Sequence, residues 1–141
     1  IAERITSDNV SHLDGLDFAF LCLDSGPSKK QIVDHLVTKK IPFVDCGIGV
    51  QKVDGRLIGI VRTTTATASK HDHVPGRMSF ADAADDEYST NIQIAELNAL
   101  NAALAVIRWK KLLGFYADFE HEHHSTYSLD TGMLLHEDVQ S

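Results

Sequence analysis

Histidine is the residue type best supplied for chemistry here, with eight in 141 residues, and two clusters stand out. His71-Asp72-His73 is a local His-x-His, and His121-Glu122-His123-His124 is denser. Two histidines spaced two apart on a strand share a face, and neutral imidazoles suit zinc or another borderline metal. The metalloprotease pattern His-Glu-x-x-His is absent, because His121-Glu122 runs into His123, His124 and Ser125. The expectation is a solvated polar surface at both clusters. Serine hydrolysis finds no Gly-x-Ser-x-Gly elbow to support it. The acidic run of Asp82, Asp85, Asp86 and Glu87 reads as a solvated loop. Cys22 and Cys46 are too few for a disulfide framework or a four-cysteine zinc site. Each lies in an apolar stretch, Phe18–Leu23 and Phe43–Cys46, so buried reduced thiols are expected.

Composition narrows the classes further. A chain of 141 residues suits one domain with a real core. Its 43% hydrophobic and 23% charged residues are ordinary for a globular protein. Thirteen Lys+Arg against 20 Asp+Glu give a net charge of −7, with no basic stripe, which argues against nucleic acid as a partner. No apolar run approaches the roughly 18 residues that span a bilayer, so no membrane partner is expected. Ile1-Ala2-Glu3-Arg4 is not a charged-then-apolar leader, and the missing Met fits an excised or processed piece. Reduced thiols point to a cytoplasmic setting.

Elements that would position these groups follow from periodicity. Residues 17–23 are a continuous apolar run ending in Asp24, the pattern of a strand buried on both faces in a parallel sheet. Ser25-Gly26-Pro27 stops it and starts a helix, in which Ile32, Val33, Leu36 and Val37 keep helical spacing up to residue 40. Pro42 ends that pattern, and residues 43–48 read as the next buried strand. Strand, helix and strand so joined make a crossover unit with parallel strands. Asp54-Gly55, between Val50–Val53 and Leu57–Thr65, predicts a hairpin, so parallel strands run into antiparallel ones. Residues 66–90 are polar and aperiodic, a crossover loop. Ser89-Thr90-Asn91 can cap a long helix over 91–113, with Ile94, Leu97, Leu100, Leu104, Ile107 and Leu112 on one face and Gly114 at its end. Tyr127–Leu129, the turn Asp130-Thr131-Gly132 and Met133–Leu135 read as a second hairpin.

Three blocks in this order carry a resemblance. They are DFAFLCLDSGPSKKQIVDHLVTKKIPFVDCGIG, the hairpin QKVDGRLIGIV, and NIQIAELNALNAALAVIRWKKLLGF with its ending Ile107-Arg108-Trp109-Lys110-Lys111-Leu112-Leu113-Gly114. Together they resemble the C-terminal half of the ThiF/MoeB/HesA-type adenylating domain shared with ubiquitin-activating enzymes. The resemblance implies an α/β fold: a partial Rossmann-like sheet in which parallel strands run into antiparallel hairpin strands, with flanking helices, one of them long and C-terminal. It implies one domain over residues 1–141, ATP and Mg²⁺ as cofactors of the intact enzyme, and adenylation of the C-terminal carboxylate of a ubiquitin-like or sulfur-carrier protein. Homodimers are common in the family. Asp24 matches the family aspartate that positions the metal, a role suited to a hard carboxylate; the bland reading is that Asp24 caps the following helix. Lys29 and Lys30 stand where the family has an arginine, and Lys lacks its bidentate fork.

Departures set the limits of that expectation. The family asparagine is Ser25 here, no Gly-x-Gly-x-x-Gly loop occurs, and the loop 66–90 carries no cysteine for a thioester. Paired Cys-x-x-Cys zinc motifs are missing too. The chain alone is therefore expected to be inactive. The rival expectation is a non-catalytic dimerisation or protein-binding module on the same half-fold.

Overall fold

Asp54 (φ 48°) and Gly55 (φ 79°) both adopt positive φ, the backbone of a tight hairpin turn whose twist matches that of its strands. The computed structural model, which describes residues 3–80 and 94–139, places that turn between β2 (Phe43–Val53) and β3 (Arg56–Ala66). Upstream lie β1 (Ala19–Leu21) and α1 (Pro27–Thr38); downstream come a single turn α2 (Val74–Arg77), the long α3 (Ala95–Leu112), β4 (His124–Ser128) and β5 (Met133–Glu137). One five-stranded sheet runs in the order β1-β2-β3-β4-β5. β1 is parallel to β2, and each remaining pair is antiparallel. This is the expected α/β class, with parallel strands passing into antiparallel hairpins. No helix among the described residues is long and apolar enough to cross a membrane.

Alternation along the strands sorts the two faces. Phe43 pairs with Ala66, and both join Leu21 and the α1 residues Ile32, Val33 and Leu36 in the core. Burying a side chain of Phe or Leu size contributes about 1.5–3 kcal/mol, so this cluster anchors α1 to the sheet. Cys46 pairs with Thr63 on the opposite face, where α3 packs against β2 and β3. There Asn101 receives the Thr63 hydroxyl at 3.4 Å and donates to the Gly47 carbonyl at 3.2 Å.

Four local expectations are revised. β1 is not buried on both faces: it is the edge strand beside β2, and Phe20 is 43% exposed. Phe18 and Phe20 stack instead against Trp109 of α3, at 6.4 and 5.8 Å between centroids. Residues 43–48 and 50–53 are one continuous strand rather than two. The buried residues of α3 are Leu97, Asn101, Ala105 and Arg108, whereas Ile107 faces outward. Two polar side chains thus occupy the stripe expected to be apolar, because the sheet opposite offers hydroxyls, a carbonyl and acids. Cys22, finally, is exposed and Cys46 half-buried. The expected cap at Ser89-Thr90-Asn91 and the acidic run at 82–87 lie outside the described residues.

Candidate functional site

Asp24 stands exposed just beyond the carboxyl end of β1. The chain then turns at Gly26, whose φ of 138° and ψ of 178° no side-chain-bearing residue adopts readily. Gly26 itself is the N-cap of α1, with Pro27 in the first turn and no side-chain cap bond. Asp24 therefore does not cap α1, and its carboxylate is left facing solvent.

The two lysines fare differently. Lys29 is 6% exposed, with its ammonium 2.6 Å from an Asp45 carboxylate oxygen. The same ammonium donates to the Leu23 carbonyl at 3.5 Å. One buried cation thus ties the segment leading to Asp24 onto β2. Burial pushes the Asp45 carboxyl up, against the attraction of Lys29 and Arg62. Arg62 pairs with Gly47 across the sheet, and a methyl group on Gly47 would meet its guanidinium at 3.4 Å. Lys30 points outward, 2.6 Å from Asp34 one turn along the helix, an exposed pair worth about 0.3–0.5 kcal/mol. Asp24 and Lys30 are accessible, while Lys29 is sequestered.

A second polar centre lies between α3 and strands β3 to β5, beside a cavity of about 230 Å³ lined by Thr65, Arg108, Lys111, Glu122, His123 and His136 among others. It contains none of Asp24, Lys29 and Lys30. Buried Arg108 donates to Asp118 at 2.5 Å and to Glu122 at 3.4 Å. Lys111 donates to Glu122 at 3.0 Å and lies 3.6 Å from Asp118. Two cations thus neutralise two carboxylates whose side chains are 9% and 8% exposed. Each acid is already held by a cation, so the cluster is built as a strut fastening the 118–122 segment to α3 and not as a general acid–base pair. The sequence did carry a hint of it. Arg108 falls at helical spacing from Leu97, Asn101 and Ala105, inside the inward stripe.

The histidine clusters are not the solvated surface expected. His73, His123 and His124 are buried, whereas His71 and His121 are exposed. His73 Nε2 donates to the Thr65 carbonyl at 3.0 Å and His123 Nδ1 to the His121 carbonyl at 3.0 Å. His124 bonds the Thr64 hydroxyl at 2.9 Å. The His73 and His123 rings meet edge to face at 5.8 Å. Strand pairing turns His124 inward, and the segments beside β3 and β4 bring in His73 and His123, where backbone carbonyls and a hydroxyl receive all three. Among the described residues no three His, Cys, Asp or Glu side chains are grouped to hold a metal ion.

Burial, the leading cause in each case, holds all three imidazoles below their ordinary value of 6.5. The folded state therefore binds these protons more weakly than the unfolded chain. Stability is complete above about pH 6.5 and is lost as pH falls through the lowered folded values. Thermal melts are expected to drop steadily from neutral pH to about pH 5, before the carboxylates titrate. A flat profile over that range would mean the rings protonate in place without cost.

Compared with known protein families and with curated proteins, the chain matches none.

Proposed function

We propose that this chain forms the C-terminal portion of a ThiF-like, ATP-dependent adenylylating domain that activates the C-terminal carboxylate of a ubiquitin-like or sulfur-carrier protein in the cytoplasm. One observation carries the reading. Asp24 stands open at the carboxyl end of a parallel strand, between that strand and the helix following it. Open α/β sheets receive ligands at that edge, and an unpaired hard carboxylate fits Mg²⁺. When bound, the metal with ATP would supply neutralisation of the phosphate charge as pyrophosphate leaves.

This chain's own residues then divide the work. Asp24 holds the cation. Lys29 is a positioning residue, fixing Leu23 and Asp45 so that the Asp24 segment keeps its place over β1 and β2. Lys30 gives up little by leaving Asp34, so its ammonium is available to an anion at the same edge. A glycine-rich phosphate loop is not among these 141 residues, so the chain alone is expected to be inactive, and the test belongs to the complete polypeptide that carries it.

ATP–pyrophosphate exchange by that polypeptide is expected to fall about 100-fold or more on Asp24→Ala. Because Asp24 is exposed, its circular dichroism should be unchanged. Normal exchange by the variant would remove Asp24 from the reaction.

A second reading, a homodimerisation module without catalysis, is favoured by β5. This edge strand exposes Met133, Leu134 and Leu135 at 54%, 41% and 48%, and an open apolar edge is a template for pairing with another chain. A complete protein that dimerises in light scattering yet gives no exchange would support this reading over the first.

A further inference from the structure

The only two cysteines of the chain are brought side by side by topology. Ala19, Phe20 and Leu21 of β1 pair in register with Phe43, Val44 and Asp45 of β2. Cys22 and Cys46 are the next residues along each line. By alternation both belong to the face that carries Phe20 and Val44. Neighbouring strands lie about 4.8 Å apart, inside the roughly 4.4–6.8 Å between Cα atoms that a disulfide bridges. Their surroundings differ: Cys22 is exposed and Cys46 half-buried.

We propose that Cys22 and Cys46 form a reversible intramolecular disulfide, with exposed Cys22 as the thiol that meets the oxidant and Cys46 as the thiol that resolves it. The oxidant is hydrogen peroxide. The Cys22 thiolate attacks one peroxide oxygen; the S–O bond forms, the O–O bond breaks, and hydroxide leaves to become water with the proton Cys22 gave up. The Cys46 sulfur then attacks the Cys22 sulfur of the sulfenic acid. The S–S bond forms, the S–O bond breaks, and the departing hydroxide takes the Cys46 proton as water. Two thiols are oxidised to one disulfide, and one peroxide is reduced to two waters.

The assignment of roles follows from the environment. Burial first, and then the neighbouring Cys22, push the Cys46 thiol up to about 12, so Cys46 is a poor first nucleophile. Directly opposed positions on parallel strands hold their Cβ atoms near the strand spacing, wider than the roughly 3.8 Å of a relaxed disulfide. A bridge formed there is strained and exposed at one end, which makes it readily reduced by an added thiol. It would also tie to β2 the segment two residues ahead of Asp24, past the last strand pair. The inference is independent of the ATP reading.

Intact-mass spectrometry of the purified chain treated with hydrogen peroxide tests it. The expected result is loss of two hydrogens, a monomer on a non-reducing gel, a digest peptide linking Cys22 to Cys46, and full reversal by dithiothreitol. Cys46→Ser at the same dose should accumulate Cys22 sulfenic acid, trapped by dimedone several-fold above the wild-type level. Cys22→Ser should stay unmodified. Cys46→Ala replaces Cys46→Ser if circular dichroism shows the latter misfolded. Equal dimedone trapping in wild type and the Cys46 variant, or oxidation only to intermolecular dimers, would overturn the proposal.

Discussion

Replacing Arg108 with alanine is expected to cost about 3–5 kcal/mol of stability and to lower the melting temperature by roughly 10–15 °C. Arg108 is 5% exposed and sits in the interior stripe of α3. Its loss leaves Asp118 and Glu122 buried with Lys111 as the one remaining lysine or arginine at the pair, beside the imidazoles of His121 and His136. An acid stripped of its partner in the interior costs far more than the net worth of the pair, because its desolvation is no longer offset. Arg108→Lys should recover part of the loss, since a single nitrogen, Nη1, meets both acids and an ammonium restores that charge on a shorter side chain.

Asp118 adds a pH signature. Burial opposes its charge, but Arg108 and Lys111 outweigh that and hold its carboxyl below the ordinary 3.8. A carboxylate lowered in the folded state contributes stability above its unfolded value and loses it as pH falls through the folded one. The wild type should therefore lose stability in this acid range, and Arg108→Ala should lose less there. Chemical denaturation at neutral and acid pH measures both. A neutral-pH cost under about 1 kcal/mol would mean the network is solvated and of surface worth.

Lys29→Ala carries a comparable expected cost, about 3–5 kcal/mol at neutral pH, with the opposite pH behaviour. The Lys29–Asp45 pair is buried on both sides, at 6% and 7% side-chain exposure. Burial already raises the Asp45 carboxyl above 3.8 in the presence of Lys29. A raised acid binds its proton more tightly in the folded state, so folding becomes costlier as pH rises through the folded value. Removing Lys29 raises it further. The penalty of Lys29→Ala should thus be largest at neutral pH and shrink as acid protonates Asp45. The double substitution Lys29→Met with Asp45→Leu should recover most of the stability. If the single variant keeps its stability at neutral pH, Lys29 is not the strut that holds the Asp24 segment.

Local backbone chemistry was legible in the chain itself. Asp54-Gly55 announced the hairpin turn, since few residue pairs accept positive φ in succession. Pro27 marked the start of α1, the apolar run 43–48 marked a strand, and the Asp130–Gly132 turn marked the last hairpin. These are instructions carried by neighbours in sequence, so no distant residue was needed to read them. Asp24 as a candidate rested likewise on its place at a strand end.

Which side chains go inside was a different matter. Periodicity states that Leu97, Asn101, Ala105 and Arg108 share a face of α3, but not that this face meets Thr63, Gly47 and two acids. The burial of three histidines, the closure of Lys29 on Asp45 and the exposure of Cys22 at the sheet edge have the same origin. Each depends on what the fold packs beside the residue, and a polar side chain is inward or outward according to whether those neighbours can receive it. The sequence alone determined the hairpin turns and most of the elements, though not α2 within the expected loop or the start of β4 at His124. The pairing of charges, and with it the contrast between an open Asp24 and a closed Lys29, was decided only when the sheet brought distant residues together, because desolvation and Coulomb energy depend on spatial neighbours rather than sequential ones.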